Sequence, residues 1–96
     1  MRLNAEQRIF VRETVTALAG MSASVYVFGS RLSDDARGGD LDLLIETSAR
    51  LSLLQRARIK LSLEAHLGMP VDIISAQQNG PRTAFQDIAR MQGVLL

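Results

Sequence analysis

The chain has 96 residues, 47% of them hydrophobic, which is the proportion of one globular core, so residues 1–96 are expected to form a single domain. Eleven basic against ten acidic residues leave a net charge of +1, which excludes a nucleic-acid polycation and makes direct nucleic-acid binding unexpected. The absence of cysteine excludes a disulfide scaffold and cysteine-ligated metals. Without an apolar run of ~18 residues or a signal-peptide stretch after Met1, the expectation is a soluble, cytoplasmic chain away from membranes.

Asn4 to Ala19 reads as a helix, with Asn4 as N-cap, Gln7 in capping-box position and Gly20 as the stop. Phe10, Val11, Val15 and Leu18 form its apolar stripe. Ser24 to Phe28 carries β-branched and aromatic residues on both pleat faces and is expected to be an interior strand ending at Gly29-Ser30. Arg31 to Gly39 is a polar loop or short helix in which Asp34-Asp35 reads as solvated. Asp40 to Glu46 alternates as a second strand. Leu51 to Leu67 is a long helix stopped by Gly68 and Pro70, with two apolar stripes: Leu54, Ala57, Leu61 and Ala65, and opposite them Ile59, Leu63 and Leu67. The second stripe is expected to pack against the last helix, and His66 reads as a surface or capping histidine. Val71 to Ser75 is a short strand and Gln77 to Gly80 a turn. The final helix takes Pro81 in its first turn and Phe85, Ile88 and Ala89 as its apolar face. The order α-β-β-α-β-α predicts an α+β fold, a mixed sheet of about three strands with helices packed on it.

Three carboxylates occupy strand positions, where aspartate is disfavoured: Asp40, Asp42 and Asp72. Residues two apart in a strand point to one face at ~6.6 Å, so Asp40 and Asp42 form a pair while Leu41, Leu43 and Ile45 pack behind. If the third strand lies beside the second, Asp72 joins them. Each aspartate alone also reads as a solvated strand end or turn cap. Crowded together, the three must bind protons or cations, and oxygen-only ligands suit Mg²⁺ or Mn²⁺. Gly29 allows a phosphate to approach the backbone, and Ser30 adds a hydroxyl beside free N–H donors. Arg31 reads either as a phosphate contact or as a surface ion pair, and Arg37 is a weaker candidate. Ten of the eleven basic residues are arginine, the side chain suited to bidentate phosphate contact.

Phe28-Gly29-Ser30-Arg31, then Gly39-Asp40-Leu41-Asp42-Leu43-Leu44, then Val71-Asp72-Ile73-Ile74 resembles the minimal nucleotidyltransferase family of the DNA polymerase β superfamily, and the likeness extends to an ending similar to the family's at Ile88 to Leu96. Nine residues separate Ser30 from Asp40, one fewer than in many minimal members, and Ser33 stands where a basic residue is common. The resemblance implies the nucleotidyltransferase fold. It further implies Asp40 and Asp42 holding two Mg²⁺ ions, Asp72 completing the metal site and helping to activate an attacking hydroxyl, and Gly29 and Ser30 at the nucleotide's phosphates, where Arg31 is the further nucleotide-binding candidate. The implied activity is transfer of AMP from ATP to an acceptor hydroxyl, the acceptor being a HEPN-type toxin partner for which the chain is the antitoxin subunit. Two rival expectations are a module that neutralises its partner by docking alone and a transferase acting on a small molecule such as an antibiotic, which ordinarily needs a further substrate-binding domain.

Overall fold

The structure, a computed structural model, describes residues 3–29 and 40–96. The expected polar loop, with Ser30, Arg31, Asp34, Asp35 and Arg37, lies outside the described residues. Helix α1 spans Ala5–Ala19, β1 Ser24–Phe28, β2 Leu41–Thr47, α2 Leu53–Leu67, β3 Val71–Gln77, α3 Ala84–Gln92 and β4 Val94–Leu95. The expected α+β class and element order hold, with a fourth strand added after the last helix.

The sheet order is β3-β2-β1-β4. β1 pairs antiparallel with β2 and with β4, while β2 and β3 run parallel. Parallel neighbours need a crossover, and α2 supplies it. β3 continues two residues past its expected end because Ser75 to Gln77 stay in register with Ile45 to Thr47. β4 escapes periodicity analysis because two residues show no period. It forms where Gly93 turns the chain out of α3 onto the free edge of β1; a Cβ on Gly93 would lie 2.7 Å from the Ala89 carbonyl oxygen.

Each helix opens with a complete capping box: Asn4 with Gln7, Ser52 with Gln55, and Thr83 with Gln86. The second and third boxes correct the expected helix starts. Ser52 accepts the Gln55 amide, so α2 begins at Leu53 and Leu51 becomes a buried anchor ahead of it. Thr83 accepts the Gln86 amide, so α3 begins at Ala84 and Pro81 precedes the helix rather than entering its first turn.

One sheet face packs on α1 and α2, through Val25, Val27, Leu41, Leu43, Ile45 and Val71 against Val11, Val15, Ile59 and Leu63. The other face carries Leu44 and Ala76 against Ala89 of α3, with Tyr26, Phe28 and Ile74 beside them. The Ile59 and Leu63 stripe therefore packs on the sheet and α1 rather than on the last helix, because the crossover places α2 and α3 on opposite faces. The opposite α2 stripe stays outside, with Leu54 61% and Leu61 66% exposed. Exposed His66 stacks on Phe10 at 3.7 Å between ring centroids, tying α2 to α1. On α3 only Ala89 is buried, and Phe85 and Ile88 remain half exposed, which corrects the apolar face expected for that helix. Beneath α3, buried Glu46 is paired with Arg82 and lies 3.6 Å from Arg90 Nε. Two guanidiniums compensate a carboxylate that could not be buried alone.

Candidate active site

Phe28 of β1 pairs with Asp42 of β2, and Asp42 pairs with Asp72 of β3, so these three residues form one row across three strands. Cross-strand partners share a face, and this row belongs to the α3 side, with Tyr26 and Leu44 one pleat further along. Asp40 lies immediately before β2 rather than within it, and the neighbouring Leu41 N–H donates to the Pro70 carbonyl at 2.9 Å. The parallel register thus sets Asp42 beside Asp72, the meeting the sequence made conditional, with Asp40 two residues ahead of Asp42 at the entry to β2.

A hydrogen bond with the Asp72 side chain, followed by desolvation and the Asp72 charge, holds the Asp40 carboxyl above the usual carboxylate range, against a smaller pull from Lys60. Burial, then the charges of Asp72 and Asp40, raises Asp42. Crowding of like charge thus disfavours ionisation of Asp40 and Asp42. Among the described residues, no three acidic, histidine or cysteine side chains converge tightly on one point. The donor chemistry is nevertheless that of a divalent-cation site: the side-chain oxygens come from carboxylates only, and burial and neighbouring carboxyl groups raise two of them above their usual range.

Gly29 is built into this site. It has φ +76°, and a Cβ there would overlap Asp42 Oδ2 and lie 3.2 Å from Asp42 Cγ. The missing side chain makes room first for the Asp42 carboxylate, a constraint hidden in the sequence, where Gly29 reads only as a gap for phosphate. Ser30 and Arg31, the other expected nucleotide contacts, lie outside the described residues.

The start of β3 is fixed from α2, which sequence reasoning did not reveal. Glu64 Oε2 accepts the Val71 N–H at 2.9 Å, and Lys60 donates to the Val71 carbonyl while pairing with Glu64 at 3.2 Å. These contacts lower the Glu64 carboxyl below its usual range, the Val71 hydrogen bond contributing most. Asp72 is the next residue, so its backbone is held from both sides. The only signal in the sequence is the i,i+4 pair Lys60 and Glu64, which by itself reads as surface charge.

The family profile described as polymerase beta, nucleotidyltransferase, matches residues 21–96. The sequence has no significant match among curated proteins. A solved structure described as a minimal nucleotidyltransferase is 32% identical, with TM-score 0.67, and the alignment covers 98% of this chain and 97% of that one. A toxin–antitoxin structure with AMP-PNP is 20% identical with TM-score 0.71, covering 97% and 72%. A tri-AMPylated Shewanella oneidensis HEPN toxin in complex with MNT antitoxin contains a chain 18% identical with TM-score 0.62, covering 93% and 70%. The last two likenesses show the fold. With the profile spanning the sheet, all three aspartates and α3, the chain belongs to the polymerase β nucleotidyltransferase family.

Proposed function

We propose that this nucleotidyltransferase transfers AMP from ATP to an acceptor hydroxyl on a HEPN-type helical partner, with Mg²⁺ as cofactor, in the cytoplasm. The observation that carries the reading is the cross-strand row Phe28, Asp42 and Asp72, with Gly29 leaving room for the Asp42 carboxylate. Asp40, Asp42 and Asp72 would hold Mg²⁺, which when bound neutralises charge on the attacking and leaving oxygens of an in-line displacement. Gly29, Ser30 and Arg31 would hold the nucleotide's phosphates. Asp72 accepts the proton of the acceptor hydroxyl as its oxygen bonds to the α-phosphorus; the bond from the α-phosphorus to the bridging oxygen breaks and pyrophosphate leaves. The AMP-PNP bound in one structure of this fold, and the AMPylated HEPN toxin in another, support the choice of donor and acceptor.

The exposed α2 stripe of Leu54, Ala57, Leu61 and Ala65 supports a protein acceptor, since it provides a docking face remote from the carboxylates. Exposed Arg58 lies beside that stripe and adds a positive charge to the face. The surface therefore suits a helix carrying acidic residues better than a second copy of this chain. The experiment is incubation with α-labelled ATP, Mg²⁺ and the helical protein encoded beside it. Asp72→Asn is expected to lower label transfer by about 10²–10⁴-fold while still binding the partner, and Leu61→Arg to abolish binding. Full neutralisation of the partner with no label incorporated by the parent chain would establish docking alone as the function. Label appearing on a small hydroxyl compound instead would move the acceptor class.

A further inference from the structure

Three of the chain's four aromatic side chains, Tyr26, Phe28 and Phe85, lie on the α3 side of the sheet. Tyr26 and Phe28 are partly buried in the small core under α3, whereas Phe85 is 57% exposed. Its ring meets Phe28 edge-on, with centroids 6.1 Å apart and planes at 76°. Phe28 is the cross-strand partner of Asp42, so Phe85 stands one ring-to-ring step beyond a residue that flanks the carboxylates.

A half-exposed phenylalanine in the first turn of a helix forgoes much of the burial free energy available to it. Nothing in its helix forces this: Ala89, one turn on, is buried at 2% exposure, and Gln86 fixes the helix start by donating to the Ser75 carbonyl at 2.9 Å. The edge contact with Phe28 holds the Phe85 ring in place and leaves a face open. Ile88, one turn along on the same side of α3 and 50% exposed, extends the apolar surface. An open aromatic face beside an acidic cluster suits a ligand that is flat and apolar at one end and, with a cation between, anionic at the other. A nucleotide has that form: its phosphates belong with the carboxylates and any cation they hold, and its sugar sets the base apart from them.

We propose that Phe85, braced by Phe28, is the surface on which the base of the nucleotide stacks. This rests on the nucleotidyltransferase reading above and adds the base subsite to it. Stacking on an aromatic ring needs no particular hydrogen-bond pattern, so the subsite supplies affinity and orientation for the base rather than fine discrimination among bases.

The test separates base from phosphate by comparing MgATP with magnesium tripolyphosphate, which carries the phosphates without the base. Phe85→Ala is expected to weaken MgATP binding about tenfold and to leave tripolyphosphate binding unchanged. Because the chain has no tryptophan, Phe85→Trp introduces a single reporter at the site. Its fluorescence should be quenched saturably by MgATP and not by tripolyphosphate, at an affinity equal to or better than the parent's. Equal MgATP affinity in Phe85→Ala and parent, or equal loss of both ligands, would overturn the proposal, the latter by making the ring purely structural. Quenching of the tryptophan by tripolyphosphate as strongly as by MgATP would overturn it as well. If the parent chain binds neither ligand, the nucleotidyltransferase reading falls and this subsite with it; if it binds both and the variants do not differ, only the subsite falls.

Discussion

Gly29 and Asp42 act as a pair. The glycine has φ +76°, where a side chain is strained, and its missing Cβ is the space that the Asp42 carboxylate uses. Gly29→Ala is therefore expected to cost about 1–2 kcal/mol in backbone strain and to push Asp42 out of its row. Thermal denaturation and metal titration would register the two effects separately. The carboxylates make a second prediction. Asp40 and Asp42 both hold their protons more tightly in the folded chain than in the unfolded one. Between the ordinary and the raised values the folded state binds more protons, so stability falls as pH rises through that window and is recovered on acidification. In metal-free buffer at pH 7, Asp42→Asn should melt a few degrees above the parent, with the gap closing toward acid pH, and added Mg²⁺ should raise the parent's melting temperature but not the variant's. A variant less stable than the parent at neutral pH would contradict the repulsion argument. At this scale the aspartates were legible because strands disfavour them and alternation sets their faces. Glu46 was not: it ends the same alternation, and only the placement of Arg82 and Arg90 shows that it is buried.

At the level of elements, the three capping boxes all use glutamine where glutamate would cap equally well, and two of them make the reason visible. Gln55 accepts the Ser52 N–H through Oε1 and donates through Nε2 to the Leu18 carbonyl at 3.2 Å, closing the end of α1 while opening α2. Gln86 does the same between Thr83 and the Ser75 carbonyl, fastening α3 to β3. A carboxylate could accept but not donate. Gln86→Glu should thus keep α3 helical by circular dichroism yet destabilise the chain by about 1 kcal/mol, as measured by urea titration, through loss of the bond to β3. The boxes at Ser52 and Thr83 were present in the sequence, but Leu51 and Pro81 offered competing helix starts. The two stripes of α2 were legible as well, though which one the sheet covers depends on the crossover, a property of chain path that spacing does not encode. β4 has too few residues to carry any pattern and depends on the open edge of β1.

For the molecule as a whole, β2 contributes to three things at once: its Leu41, Leu43 and Ile45 to the larger core, Leu44 to the smaller one, and Asp42 and Glu46 to the polar chemistry of the α3 side. Glu46 is the electrostatic anchor between α3 and the sheet. Its replacement by alanine leaves Arg82, only 14% exposed in its side chain, without its carboxylate. The expected loss is about 3–5 kcal/mol, measured by denaturant titration. A loss under 1 kcal/mol would mean that α3 is held by Ala89 and Gln86 alone.

The position of β2 between β1 and β3 also determines how the site fails. A strand hydrogen-bonded on both sides releases its amide protons only when the sheet comes apart, whereas the short, exposed β4 can fray alone. Deuterium should consequently enter Leu41 to Thr47 at the rate set by global unfolding and enter Val94 and Leu95 much sooner. The aspartate row is carried on that slowest-opening backbone and on its two neighbours, so urea should abolish nucleotide binding at the same concentration that unfolds the chain, with no inactive native-like form in between.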